Sequence, residues 1–431
     1  MLAVAVTPFA GCASNDEDPN DTAADTDDTG DTGVGARMGI SEDIDGDMTL
    51  TADTEWVLED IIFVRNGTLT IEPGTTILGT EGSALVIDTT ANVQANGTED
   101  APIVMTSLQA NPARGDWGGL VLLGKAPNNL DGGVGQAEGF ANPPSYGGND
   151  AAHNCGSLSY LRVEWAGFAI AEGSELNGIT FYSCGSQTKV DHVQVHMGAD
   201  DGIETFGGAF DMKYVILTGS EDDSLDCDEG FRGRVQHVFI HQDPSIGDNA
   251  FEWSNQGTNY LAQPLTGPTV ANATVIGSGT GGDKSKGLTI KEGTEAHIYS
   301  SVMGNFTNEL MVMSNLETQT IAENGGIEFA GNLWFAHGGF GVDNEDGGDV
   351  TWTVEDFEGF VNDAASGNME ADPMLGSSAW GSPDITPAAG SPVAGMGATP
   401  SDGFFDATSY AGAVEPGGDN WTNAAWTNYG I

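Results

Sequence analysis

Three observations in the sequence predict an all-β chain wound as a right-handed parallel β-helix, a solenoid. A short segment made of a small residue, a large apolar one and an acid or threonine recurs as Gly178-Ile179-Thr180, Gly202-Ile203-Glu204, Ser224-Leu225-Asp226, Ala250-Phe251-Glu252 and Gly287-Leu288-Thr289, at spacings of 24, 22, 26 and 37 residues. A second apolar strand lies between successive copies, starting at Val190, Met212, Val235 and Val270. Both segments alternate with period two, and no stretch carries a convincing helical period. Two short strands and glycine-rich turns in each repeat describe one coil of a solenoid. A β-sandwich fits less well, because the spacing is nearly constant and hairpin dipeptides are missing.

The chain start, "MLAVAVTPFAGCASNDEDPN", reads as the end of a secretory signal: a short apolar run, small residues, then Cys12. Phe9-Ala10-Gly11-Cys12 resembles a bacterial lipobox, in which Cys12 is lipidated and becomes the first mature residue. A basic n-region is missing, which is expected of a start codon placed too late. Ala13 and Ser14 follow the cysteine, so the aspartate that retains lipoproteins at the inner membrane is absent, and the expected location is the outer membrane, facing outward. From Ala13 to Ala36 there are eight acids and no base, a composition too polar to fold and suited to a solvated tether. The expected division is a signal and lipobox over 1–12, a disordered tether over 13–50, the β-helix over 51–340 and a C-terminal cap segment over 341–431.

Over 431 residues, 12 Lys+Arg face 64 Asp+Glu, a formal net charge of −52. That excludes nucleic acid, and any membrane contact except through the lipid, since phosphates would be repelled. Cations, cationic surfaces and neutral glycans remain as partners.

Coil by coil, "GTLTIEPGTTILG" from Gly67, "ALVIDTTANVQANGT" from Ala84 and "APIVMTS" from Ala101 are short strands closed by turns. The stretch from Asn128 to Asn154 then interrupts the solenoid, and its Tyr146 is the expected ligand contact of a loop bordering a groove. With Ile203, Leu225 and Phe251 pointing inward, Glu204, Asp226 and Glu252 form an outer column at the coil spacing of about 4.8 Å. A second column holds Asn177, Asp201, Asp223, Asn249 and Lys286, with Asp200, Asp222 and Asp248 beside it and Asp228 and Glu229 extending the middle coil.

Carboxylates this close must be protonated, hydrated or neutralised, and calcium suits them because it accepts about six to eight oxygens in flexible geometry. The candidate metal ligands are Asp200, Asp201, Glu204, Asp222, Asp223, Asp226, Asp228, Asp248 and Glu252, with the amides of Asn177 and Asn249 as further oxygen donors. A solvated acid face in a chain acidic throughout is the plain alternative. A catalytic alternative also exists: calcium-dependent polysaccharide lyases are β-helices, and here Asp223 and Asp226 would hold the ion while Arg232 or Arg234 acts as base. Charge relief is the other reading of those arginines, and fold analogy alone does not establish a lyase. His192 and His237 occupy equivalent outward positions either side of Tyr214, too far apart for one metal, and suit a sugar-stacking strip. An exported chain permits one bridge, Cys155 to Cys184, leaving Cys227 as a small buried residue. Strand-like text weakens after Phe335, and the aromatics Phe404, Phe405, Tyr410, Trp421, Trp426 and Tyr429 suggest a tail folded back on the outside or the end of the solenoid.

The stretches "LTIEPGTTILG", "GDWGGLVLLGKAPNN", "ELNGITFYSCGSQTKVDHVQV", "DDGIETFGG" and "DDSLDCDEG", and the closing "DGFFDATSYAGAVEPGGDNWTNAAWTNYG", resemble an uncharacterised family of bacterial right-handed parallel β-helix, pectin-lyase-like surface lipoproteins. The resemblance runs from about Trp56 to Tyr429 and implies a fold and a place, with no catalytic residues to carry over. A lipid-anchored binding or structural module, calcium- and glycan-binding, is the expected function. A polysaccharide lyase or hydrolase, and an accessory partner of an outer-membrane receptor or other cell-surface protein, are the alternatives.

Overall fold

The computed structural model describes residues 6–8, 36–171, 174–279, 284–343 and 349–431, so Cys12 and most of the expected tether lie outside the described residues. Eleven strands stack in chain order from Ile44–Asp45 to Phe340–Asp343 as one parallel sheet. The other faces of the coils merge into an eighteen-stranded sheet. Register follows the sequence repeat: Ile179 pairs with Ile203, Ile203 with Leu225, Leu225 with Phe251 and Phe251 with Leu288. These apolar residues are all buried in one continuous core.

Alternation alone does not turn a strand around a corner. In the long strands the bend is made by one residue with left-handed backbone: Tyr160, His192, Tyr214, His237 and Asn272, with φ from 45° to 60°. Large side chains resist that conformation, at a cost of about 1–3 kcal/mol each. Stacking offsets it, since the rings lie face to face at 4.3, 4.3 and 4.8 Å from Tyr160 through His192 and Tyr214 to His237.

Two boundaries move. Ala36–Ile40 pairs in parallel with Thr54–Leu58, so the first coil begins inside the stretch expected to be tether. Its short alternation is masked in the sequence by acids on both sides. At the other end, Leu333–His337 pairs with Met369–Glu370. Helix Val354–Val361, started by a Thr353–Asp356 capping box, buries Phe357 and Val361 against the last coil. This helix and Leu316–Glu323 were not expected, because eight residues give too few turns to show a period.

The aromatic tail is a flank rather than an end cap. Ile385, Ala413, Val414 and Trp426 pack on Ile216, Phe239 and Ile276, which point outward from the large sheet. Side-chain amides grip its backbone: Gln194 bonds both the N–H and the C=O of Asn428, and Gln236 those of Asp406. Cys155 and Cys184 form the expected disulfide, with Cα atoms 5.7 Å apart, and Cys227 is buried and free.

Trp426 is 1 % exposed at the centre of this flank. Trp426→Ala is therefore expected to cost about 3–5 kcal/mol in denaturant unfolding; a loss under about 1 kcal/mol would mean that the tail is only loosely laid on the sheet.

Candidate functional site: an acid cleft on the eleven-stranded sheet

The repeated acids superpose as the register requires, with Glu204 beside Asp226 and Asp226 beside Glu252. Thr180 and Thr289 close the column at its two ends. The column does not lie on an open face. Glu138, Glu175, Asp200, Asp201, Glu204, Asp222, Asp223, Asp226 and Glu252 line a cleft of about 170 Å³. Its floor is buried: Asp201, Glu204 and Asp223 are 7 %, 9 % and 5 % exposed. A solvated acid face is thus the wrong description of these three residues.

The second column has a structural task that spacing alone did not reveal. Oδ1 of Asn177 accepts the N–H of Asp201, Oδ1 of Asp201 that of Asp223, and Oδ1 of Asp223 that of Asn249. Each side chain thereby satisfies the backbone of the following coil where its strand begins, a donor that would be costly to leave buried and unpaired. Neutral amides make this kind of bond too: Asn177 does so in the column itself, and elsewhere, toward the preceding coil, Asn332 accepts from Ser301 and Asn368 from Asn332. Amides therefore suffice for the bond, and the use of aspartate at 201 and 223 adds charge that the backbone does not require.

Asn177 and Asn249 are corrected from oxygen donors for a metal to hydrogen-bond donors for the acids. Nδ2 of Asn177 donates to Oε2 of Glu204 at 2.5 Å, and Nδ2 of Asn249 to Oδ1 of Asp223 at 3.0 Å. Their own oxygens are taken, by Asp201 N–H and by the Thr289 hydroxyl.

Burial, reinforced by the neighbouring carboxylates, raises Asp201, Glu204, Asp223 and Asp226 well above the usual carboxylate range and pushes Asp200 up to about 7. Asp222 is raised for the same reasons. Positive charge enters mainly through Lys291, whose Nζ lies 2.7 Å from Glu252. That pairing keeps the ammonium protonated despite its partial burial, so Lys291 is a counter-charge rather than a base.

In each of three overlapping triads, Asp200/Asp201/Asp222, Asp201/Glu204/Asp226 and Asp223/Asp226/Glu252, one oxygen of every residue lies within 4.8 Å of the other two. One oxygen, Oδ1 of Asp226, is buried without a hydrogen-bond partner. An all-oxygen, multiply charged donor set of this kind suits a hard divalent cation such as calcium.

The remaining expected residues lie elsewhere. Asp228 accepts from the Glu229 N–H at 2.5 Å and Asp248 approaches Lys286 at 4.0 Å; neither lines the cleft. Arg232 is held by Glu295 and the Leu265 carbonyl. Arg234, on the large sheet, is pinned between Asp211 and Asp402 of the tail. Neither arginine lines the cleft, so neither is placed to act as its base. Tyr146 is 3 % exposed, packs at a tilt against the Tyr182 ring and donates to Oε2 of Glu229 at 2.6 Å, so it is a structural contact of the inserted loop. His192 and His237 are covered by the tail, with Trp421 and Trp426 set edge-on to the stack, which removes them as a sugar strip.

Glu138 and Glu175 were missed. Both come from segments inserted between the strands Leu120–Leu123 and Ile179–Tyr182, and period reading does not tell on which side of a coil an insertion folds. The available signal was an acid within the small-residue run "GQAEGFAN", the very loop expected to border a groove.

No curated protein and no solved structure matches the chain. The family model described as "Pectate-lyase like beta helix domain" matches residues 42–370, from the first coil to the last and short of the tail. By that match, together with the parallel coils that bear it out, the chain belongs to the pectate-lyase-like β-helix domain family.

Proposed function

We propose that the protein is a surface binding module, held to the outer membrane through a lipid on Cys12, and that its acid cleft takes up calcium through which an acidic or hydroxyl-rich glycan is held. The observation that carries this reading is the crowding of nine carboxylates around about 170 Å³ with Lys291 as their close counter-charge. Like charges at this spacing disfavour the ionised state, and a cation that brings them together gains what the free site loses. A polysaccharide lyase using the same cation finds less support, because Arg232 and Arg234 are engaged elsewhere and Lys291 is held as a cation.

The pH dependence has a definite sign. Carboxyls whose pKa is higher in the folded chain contribute stability that is present at low pH and lost as pH rises through their folded values. Buried His196, His237 and His241 act oppositely, being pushed down, the latter two to about 4, so they lower stability as pH falls below about 6.5. Above that point the carboxyls act alone, with Asp200 near 7 in the cleft and Glu229, bonded to Tyr146, near 8. In chelator, stability should fall between pH 6.5 and 8. Saturating calcium should reduce that slope and release protons on binding at pH 7, as read by potentiometric titration; calcium without effect on either quantity would remove the cation site.

Asp226→Asn separates the site from a merely structural acid cluster. In chelator it should stabilise, by about 1 kcal/mol, because a carboxyl crowded by its neighbours is replaced by an amide that cannot ionise. In calcium it should lower ion affinity at least tenfold. Equal shifts of the melting temperature in both conditions would contradict the proposal.

Anchoring is tested at Cys12. Without its sulfur no thioether-linked lipid forms, and the acidic segment that follows has no affinity for an anionic bilayer. Cys12→Ser should move the protein from the detergent phase to the aqueous phase; unchanged partition would refute the anchor.

A further inference from the structure

The first coil carries an edge strand whose cover lies in the expected leader. Val6–Pro8 runs antiparallel to Ala36–Ile40, pairing Val6 with Ile40, Thr7 with Gly39 and Pro8 with Met38. Processing at Cys12 removes these residues and leaves an open strand edge, which offers its backbone to another strand.

The geometry of that edge is specific. The Ile40 carbonyl accepts the Glu59 N–H on the inner side, so the alternation of the strand turns the backbone groups of Arg37 and Gly39 outward. Under a two-fold axis at Met38, Arg37 of each copy faces Gly39 of the other, and each such pair exchanges both its hydrogen bonds. Side chains agree with this register. Gly39 has no side chain, and the Glu59 carboxylate occupies the space one would need. Arg37 of the second copy, directly opposite Gly39, meets that carboxylate. Arg37 is half exposed, and its present partner is Glu55 at 2.7 Å. On the other face Met38, packed at the end of the core, meets its own counterpart and extends the core across the axis.

We propose that the processed chain forms a two-fold dimer by antiparallel pairing of Ala36–Ile40 with the same strand of a second copy, with Arg37 set against Glu59 across the axis. The proposal rests on the reading of Cys12 as a lipidation site. Two proteins test it by sedimentation velocity in about 0.15 M salt: a chain beginning at Ala13, and the full chain with Cys12→Ser, which keeps Val6–Pro8. The first should be a dimer and the second a monomer. Arg37→Glu in the shorter chain should weaken the dimer at least tenfold, and Arg37→Glu combined with Glu59→Lys should restore it. A monomeric processed chain, a dimer indifferent to Arg37→Glu, or no rescue by the charge exchange would overturn the proposal. So would a processed monomer whose Arg37 and Gly39 amides resist hydrogen exchange, because the tether would then fill the edge. Mass spectrometry of the cell-derived protein keeps the two readings apart: residues 1–11 still attached would overturn the lipoprotein reading and the dimer together, whereas a processed monomer overturns the dimer alone.

Discussion

The structure depends on the in-register stacking of successive coils. Because neighbouring strands in a parallel sheet lie about 4.8 Å apart, any residue type repeated at the coil period becomes a continuous column. Apolar residues become a core, with Ile179, Ile203, Leu225, Phe251 and Leu288 in line. Aromatic residues become a stack, and acids become a line of like charges. The same constraint that gives the core its continuity concentrates the charge.

The acid columns show two uses of one repeat. At positions 201 and 223 a carboxylate oxygen holds the backbone of the next coil, a task that asparagine performs at 177. Glu204, Asp226 and Glu252 stand beside that line, and the buried Asp226 oxygen has no hydrogen-bond partner. The inserted loop, by adding Glu138 at the rim, brings still more negative charge to a place already crowded with it. An arrangement serving stability alone would favour amides here, which is the physical ground for reading the cleft as a cation site.

The opposite flank balances the cost of its corners differently. Left-handed backbone at Tyr160, His192, Tyr214 and His237 brings rings into face-to-face contact, and the tail covers them with Trp421 and Trp426. Scarce positive charge is used there as well. Lys213 pairs with Asp406 and Arg234 with Asp402, while both cations lie over the Phe404 ring. The tail that the family match leaves out is thus bound by side chains belonging to the matched coils.

By itself the sequence determined whatever repeats. The coil period, the inward residues and the acid columns are properties of stacking, and stacking is set by spacing along the chain. The tertiary structure alone decided what depends on contacts between distant segments. Glu138 reaches the cleft from an insertion, the Asn177 and Asn249 amides turn toward carboxylates of the neighbouring coils, and Arg162 meets the Trp426 carbonyl 264 positions away. Helices of eight residues and a first strand hidden among acids carry too little pattern to be read locally. Spacing assigns residues to a column, but burial depends on which other segment covers it. That is why the acids were legible as a repeat while the cleft they line was not.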